Sequence, residues 1–183
     1  MRDWFEVVPR PTGRFKKIVR RWDMAATDEK KVDFDPDWTV GLLIGEHEDG
    51  FIYVLDMVRV QEDPGKVSRT LKSTAQRDTR RVRIRMEREP GASGKIVISL
   101  LAKTIFRGYS FRGIPSSGNK MLRADSCAAA AERGEIKIVR GKWNSDFFYE
   151  VTRFPRAAHD DIVDAFSGGF WDLTSRGQGI QVW

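Results

Sequence analysis

Three short acidic segments, far apart along the chain, constrain it more than any other feature. They are Trp22-Asp23-Met24-Ala25, Met86-Glu87-Arg88-Glu89-Pro90-Gly91 and His159-Asp160-Asp161-Ile162-Val163-Asp164-Ala165. Each sets carboxylates beside residues of core character. A carboxylate at the margin of an apolar core is costly unless it is paired or binds a metal. On a chain of net charge +6, three such segments predict one acidic pocket on a basic protein. Hard divalent cations such as Mg²⁺ take oxygen ligands, and a basic surface favours phosphate polymers. The combination points to metal-dependent cutting of nucleic acid.

The periodicities say how the segments could meet. Strand patterns run over 18–25, 38–45 and 51–60. Glu48-Asp49-Gly50 supplies a hairpin turn between the last two. Pro64-Gly65 opens a helix to about Arg80, with Val67, Leu71 and Ala75 at helical spacing. Val82, Ile84 and Met86 alternate with arginines in a fourth strand. A helix with a dense apolar face follows over 93–106, then a short strand over 109–113. The Ala-rich stretch 119–133 is helical and 135–139 is a strand. A helix over 145–154 stops at Pro155, and the last helix covers 159–174. Hairpins join the first three strands, while helical crossovers make the later pairs parallel. The expected class is α/β, a mixed sheet of three antiparallel strands followed by parallel strands, flanked by helices, with the strand 18–25 central. Residues 1–17, carrying Pro9, Pro11 and Gly13, read as an entry arm or linker, 18–176 as the domain and 177–183 as a loose tail.

In this order Asp23 and Glu87 end neighbouring strands. Strands lie about 4.8 Å apart, so both carboxylates can share one ion. Asp160, Asp161 and Asp164 open the last helix, where positions three and four apart share a face. Such a cluster needs cations, and two Mg²⁺ or Mn²⁺ ions about 3.5–4 Å apart would neutralise it. One would activate a water and the other would stabilise the leaving 3′ oxygen. Asp23 is expected to touch both ions. Asp161 is the favoured direct ligand of the last cluster, with Asp164 or Asp160 completing the second site. His159 reads as a cap or a phosphate contact, since Mg²⁺ prefers oxygen. The bland readings are a turn aspartate at Asp23, pairing of Glu87 with Arg85 or Arg88, and a helix cap at His159-Asp160-Asp161. The cap reading leaves Asp164, one turn further on, unexplained.

Gly91-Ala92-Ser93-Gly94-Lys95 is not a nucleotide-binding loop. That loop needs four residues between its glycines and Ser or Thr after the lysine. A glycine-rich helix start with Lys95 beside it can still hold a DNA phosphate. The acidic run Asp28, Asp33, Asp35 and Asp37 lacks EF-hand spacing and reads as a solvated loop. Arg77, Arg80, Arg81, Arg83, Arg85 and Arg88 form the densest basic stretch. One cysteine, Cys127, excludes an internal disulfide, and with only two histidines it makes a structural zinc site unexpected. No signal peptide or membrane span is legible, and an intracellular protein is expected.

The ordered set of residues resembles a known family. Carboxylates on the first and fourth of these strands and on the last helix resemble the ribonuclease H-like fold. More closely, the chain resembles the C-terminal nuclease domain of large terminase subunits of tailed bacteriophages. The resemblance rests on Val19 to Ala25, Asp35-Pro36-Asp37-Trp38-Thr39-Val40-Gly41, Glu87 to Lys95, and Phe154-Pro155 leading into His159 to Ala165. It implies an endonuclease that cuts concatemeric double-stranded viral DNA during genome packaging in the cytoplasm of an infected bacterium. It also implies metal-binding carboxylates at Asp23, Glu87 and the Asp160/Asp161/Asp164 cluster. The implied partners are a packaging ATPase domain, of which this sequence has no phosphate-binding loop, a portal and a small terminase subunit. The competing readings are another ribonuclease H-like enzyme, such as a Holliday-junction resolvase or a transposase, and a non-catalytic DNA-binding module.

Overall fold

The computed structural model describes residues 2–25, 38–115 and 120–175. The acidic run Asp28 to Asp37 and the tail 177–183 lie outside the described residues. The elements, in chain order, are β1 (Glu6–Val8), β2 (Phe15–Asp23), β3 (Thr39–His47), β4 (Ile52–Val60), α1 (Pro64–Asp78), β5 (Arg83–Arg88), α2 (Gly91–Lys103), β6 (Ser110–Pro115), α3 (Lys120–Glu132), β7 (Ile136–Val139), α4 (Asn144–Val151) and α5 (Asp161–Thr174). The strands form one sheet in the order β1-β7-β4-β3-β2-β5-β6. β2, β3 and β4 pair antiparallel, and β5, β6 and β7 join in parallel. The mixed sheet expected from the hairpin and crossover pattern is therefore present, with the Asp23 strand in its interior.

Besides shifts of a few residues at element ends, such as the start of β2 at Phe15 rather than Ile18, two features differ from the periodicity reading. The stretch read as an entry arm carries β1, which pairs with β7 at the sheet edge. Trp4, Phe5 and Val7 from this stretch pack against the main core. A three-residue strand is too short to show a period of two, so no alternation marks it. The second difference is α2. Its apolar residues do not form one buried face: Ile98 and Leu101 pack inward while Ile96, Val97 and Leu100 are exposed. α2 also starts at Gly91 rather than Ser93, and Gly94 lies against the chain at Glu89, where a Cβ would stand 2.2 Å from the Glu89 carbonyl oxygen. The glycines of this segment thus have a packing reason.

Alternation along β2 divides the chemistry between the two faces. Ile84, Met86 and Trp22 pack with Val67, Leu71 and Ala75 of α1 on one face. Val19 packs with Ile162, Ala165, Phe166 and Phe170 of α5 on the other. β3 is buried along nearly its whole length because helices cover both its faces. Arg20 is 1% exposed on the α1 side. It donates Nε to Asp78 Oδ2 at 2.7 Å, Nη2 to Asp78 Oδ1 and Asp56 Oδ2 at 2.8 Å each, and Nη1 to the Gly41 carbonyl at 2.9 Å. This buried fork ties β2 to the end of α1 and to β3 and β4.

Removing one partner of a buried ion pair leaves an uncompensated charge, at about 3–5 kcal/mol. Asp78→Ala is therefore expected to lower unfolding stability by about that much. Urea denaturation checks this, and a loss below about 1 kcal/mol would contradict a structural role for the Arg20 fork.

Candidate active site

Asp23 is the last residue of β2, and Glu87 lies next to the end of β5. The parallel register sets Trp22 opposite Met86, so the two carboxylates leave adjacent strand ends. The strand alternation turns both toward α5. α5 begins at Asp161 rather than at His159, with Asp160 at its N-cap position. Asp161 is 7% exposed, and its Oδ2 accepts from the Trp38 amide at 3.4 Å. The Asp160 side chain makes no cap hydrogen bond. The helix is capped instead by Glu150 of α4, whose Oε1 accepts from the amides of Ile162 at 2.6 Å and Val163 at 3.1 Å.

These carboxylates act on one another. Burial, followed by the charges of Asp164, Asp161 and Glu87, pushes the Asp23 carboxyl up to about 8 against the opposing pull of Arg21. Burial likewise raises Asp164, helped by Asp160 and Glu87 and opposed by Lys120. The predicted residues of all three acidic segments are thus brought into one electrostatic pocket. Cationic side chains offset part of the repulsion. Lys120, at the start of α3, bridges Asp160 Oδ2 at 2.8 Å and Asp164 Oδ2 at 2.5 Å. Burial acts against its charge, but the two carboxylates win and raise its pKa. Arg21 joins Glu87 Oε2 at 3.2 Å to Asp172 Oδ2 at 3.1 Å, and Arg123 Nη2 lies 3.9 Å from Glu87 Oε2. Glu87 is therefore held by Arg21 and Arg123, not by Arg85 or Arg88. Arg85 instead donates to the carbonyls of Ile84 and Ser110. Burial lowers its pKa, with Asp172 opposing and Arg112, Arg83 and Arg21 adding to the shift.

α5 must approach the sheet closely for this arrangement. A Cβ at Gly168 would stand 2.8 Å from Arg21 Nε, and one at Gly169 would stand 2.9 Å from Ile44 Cγ2. The small residues let the helix lie over β2 and β3 with room for the Arg21 guanidinium.

The donor set suits a hard divalent cation, because it consists of carboxylate oxygens. Asp164 Oδ1 is buried and has no hydrogen-bond partner, which leaves an acceptor for a cation. Among the described residues, however, no three His, Cys, Asp or Glu side chains are drawn together closely enough to hold a metal as they stand. Lys120 and Arg21 supply the positive charge instead.

Sequence reasoning missed Arg21, Lys120, Arg123, Glu150 and Asp172. The available signal was Arg20-Arg21 inside a strand that reads as buried, where each arginine needs a partner on its own face. Lys120 and Glu150 carried no such signal, because their roles depend on how α3 and α4 pack against α5. Lys95, the fifth residue of α2, is exposed. His159 Nδ1 lies 3.8 Å from Asp161 Oδ2.

Residues 20–170 match the family model described as the Terminase RNaseH-like domain. Comparison with curated proteins gives no significant match. The fold is similar to that of the large terminase nuclease from the thermophilic phage G20c with bound zinc, with TM-score 0.61 and 15% identity, covering 93% of this chain and 95% of that one. It is similar to the large terminase nuclease domain of a Thermus phage, with TM-score 0.63 and 13% identity, covering 96% of this chain and 94% of that one. It is also similar to the human cytomegalovirus terminase nuclease domain, Mn-soaked and inhibitor-bound, with TM-score 0.65 and 11% identity, covering 86% of this chain and 82% of that one.

Glu150 supplies a pH test of the α5 cap. Burial raises its pKa to about 7, opposed by the Val163 and Ile162 amides and aided by Asp161. A carboxyl whose folded pKa is raised binds its proton more tightly when folded. Its contribution to stability is therefore greatest at low pH and is lost as pH rises from about 4.5 to about 7. Glu150→Gln keeps the acceptor oxygen and removes the titration. The thermal midpoint of the wild type relative to this variant is expected to fall between pH 5 and pH 8. Glu150→Ala, which leaves two buried amides unpaired, is expected to be destabilised at both. A pH-independent gap between wild type and Gln variant would refute the role of burial at Glu150.

Proposed function

Because this chain belongs to the family of Terminase RNaseH-like domains, matched over residues 20–170, we propose that it is the nuclease unit of a large terminase. On this reading it is a metal-dependent endonuclease that cuts concatemeric double-stranded viral DNA during genome packaging. The observation that carries the reading is the convergence of Asp23, Glu87, Asp161 and Asp164 in one electrostatic pocket at the ends of β2 and β5. The nuclease unit is read as residues 18–176, with β1 from the preceding segment extending the sheet.

Two Mg²⁺ or Mn²⁺ ions held there would supply charge neutralisation at the scissile phosphate and an activated water. Asp23, Glu87 and Asp161 are proposed as the principal ligands and catalytic carboxylates. Asp164 contributes the buried oxygen that lacks a partner. Asp160, with its side chain 53% exposed, is the most peripheral of the set. Arg21 orients Glu87 while its other arm is held by Asp172. Lys120 positions Asp164 through their ion pair. Lys95 at the start of α2 and His159 before α5 are proposed to contact DNA phosphates on either side of the carboxylates. Packaging proceeds in the cytoplasm of the infected host, with the ATPase domain, portal and small terminase subunit as partners. Among the described residues, no helix is long and apolar enough to cross a membrane.

Asp23→Asn keeps the shape of the central carboxylate and removes its charge. The variant is expected to fold, and to lose Mn²⁺-dependent nicking of supercoiled plasmid together with most calorimetric Mn²⁺ binding. Nicking retained by the folded variant would refute the assignment. In the α5 cluster, Asp161→Asn is expected to be the most damaging change and Asp160→Asn the least. Nicking rates at saturating Mn²⁺ measure that order.

A further inference from the structure

The α5 side of β5 and β6 carries a row of arginines that the catalytic pocket does not use. α5 lies over β2 and β3, and the residues α2 buries, Ile98 and Leu101, pack on the opposite side of the sheet with Ile84, Met86 and Phe111. The alternation that sends Ile84 and Met86 to the α2 side sends Arg83, Arg85 and Glu87 to the other. Arg83 is exposed and Arg85 half-buried. On β6 the register sets Arg112 beside Arg85, Ser110 beside Arg83 and Ile114 beside Glu87, and Arg112 and Ser110 are exposed. Two residues along a strand span about 6.6 Å, and neighbouring strands lie about 4.8 Å apart. Three guanidinium groups thus stand on one small area of open sheet that ends at Glu87.

Their charges are poorly offset. Arg85 feels the like charges of Arg112, Arg83 and Arg21, with Asp172 opposing them. Asp172 is itself engaged by Arg21 at 3.1 Å. Among the described residues, neither Arg83 nor Arg112 forms an ion pair with a carboxylate. At the start of β5, Arg81 and Arg83 also border a cleft of about 580 Å³ with Arg14, Lys16 and Lys17 from the start of β2. The basic character therefore extends from that cleft, at the amino ends of β2 and β5, to Glu87 at the carboxyl end of β5. Like charges on adjacent strands are destabilising. A polyanion laid along them removes that cost and releases its own counterions.

We infer that the exposed β5–β6 face is a track for the phosphodiester backbone of duplex DNA, with Arg83 and Arg112 as backbone contacts leading a strand to the carboxylates. The inference rests on the nuclease reading of the pocket and adds the path by which substrate reaches it. The contacts carry charge and no base-reading geometry, so they position DNA without selecting sequence. Each phosphate contact contributes about 0.9 to the slope of log affinity against log salt.

The test compares two charge-reversed proteins of equal net charge. Arg83→Glu/Arg112→Glu alters the track. Arg69→Glu/Lys72→Glu alters exposed positions of α1 on the opposite face. Binding to a fluorescent 30-base-pair duplex is measured across a salt series without metal, alongside Mn²⁺ calorimetry and thermal melting. The track variant is expected to bind at least tenfold more weakly than the α1 variant, with a salt slope smaller than the wild type by about 2. Its Mn²⁺ binding is expected to match the wild type. Equal loss of affinity in the two variants would overturn the track and leave the nuclease reading standing. A wild-type protein that neither binds duplex nor nicks plasmid with Mn²⁺ would overturn both. Should the reversed pair fail to fold, Arg83→Gln/Arg112→Gln carries the same comparison, with the same salt-slope criterion, against Arg69→Gln/Lys72→Gln.

Discussion

Mutual repulsion among carboxylates drawn into one part-buried pocket is the constraint on which the rest of this structure depends. Asp23 feels Asp164, Asp161 and Glu87 together with the cost of burial. Like charges at such range are unfavourable in a medium less polar than water. Counter-charge from the protein's own side chains offsets part of that cost. Here that charge arrives from two elements: Arg21 from β2, Lys120 and Arg123 from α3. The cations reach Glu87, Asp160 and Asp164. At Asp23, burial and the surrounding carboxylates outweigh the pull of Arg21, and its proton affinity is raised. The pocket is compensated at its rim and acidic at its centre, which is the distribution a divalent cation would complete.

The same constraint explains the construction of α5. Its amino end has to place Asp161 and Asp164 against the strand ends, and helix amides left unpaired there would be costly. Glu150 accepts two of them from α4, which frees the aspartates from capping. That division of labour answers why a His-Asp-Asp run at a helix start does not behave as an ordinary cap. One turn and more beyond, Gly168 and Gly169 let the helix settle onto β2 and β3. The close approach leaves the Arg21 guanidinium lodged between helix and strand, with one arm on Asp172 and the other on Glu87.

Much of this was legible in the sequence, for identifiable reasons. Strands and helices long enough to express a period were placed within a few residues, and the hairpin at Glu48-Asp49-Gly50 and the helical crossovers gave the mixed sheet. The association of Asp23, Glu87 and the last helix followed from strand adjacency and helix spacing alone. β1 was not legible because three residues cannot express alternation, and its role comes from pairing with a strand some 130 residues later. The exposure of Ile96, Val97 and Leu100 was not legible either. Apolar density predicts a buried face, but it does not say how wide a face the sheet can cover. Lys120 and Glu150 act through tertiary placement, and neither sits in a local pattern that marks it.

Register holds these layers together. Side chains alternate along β2, so Val19, Arg21 and Asp23 face α5 while Arg20 and Trp22 face α1. A slip of one residue would send Asp23 to the wrong side of the sheet and Trp22 into the pocket. Hydrophobic patterning alone resists the slip weakly here, because both faces of β2 are buried and each carries an arginine. The Arg20 fork resists it strongly. Its guanidinium meets Asp78, Asp56 and the Gly41 carbonyl at 2.7–2.9 Å, and displacement would strand a buried charge. Trp22 adds a second lock, since its ring occupies the space where a Cβ on Gly41 would stand 2.5 Å away. Two adjacent arginines therefore divide the task by parity: one fixes the strand from behind, and the other neutralises the carboxylates in front.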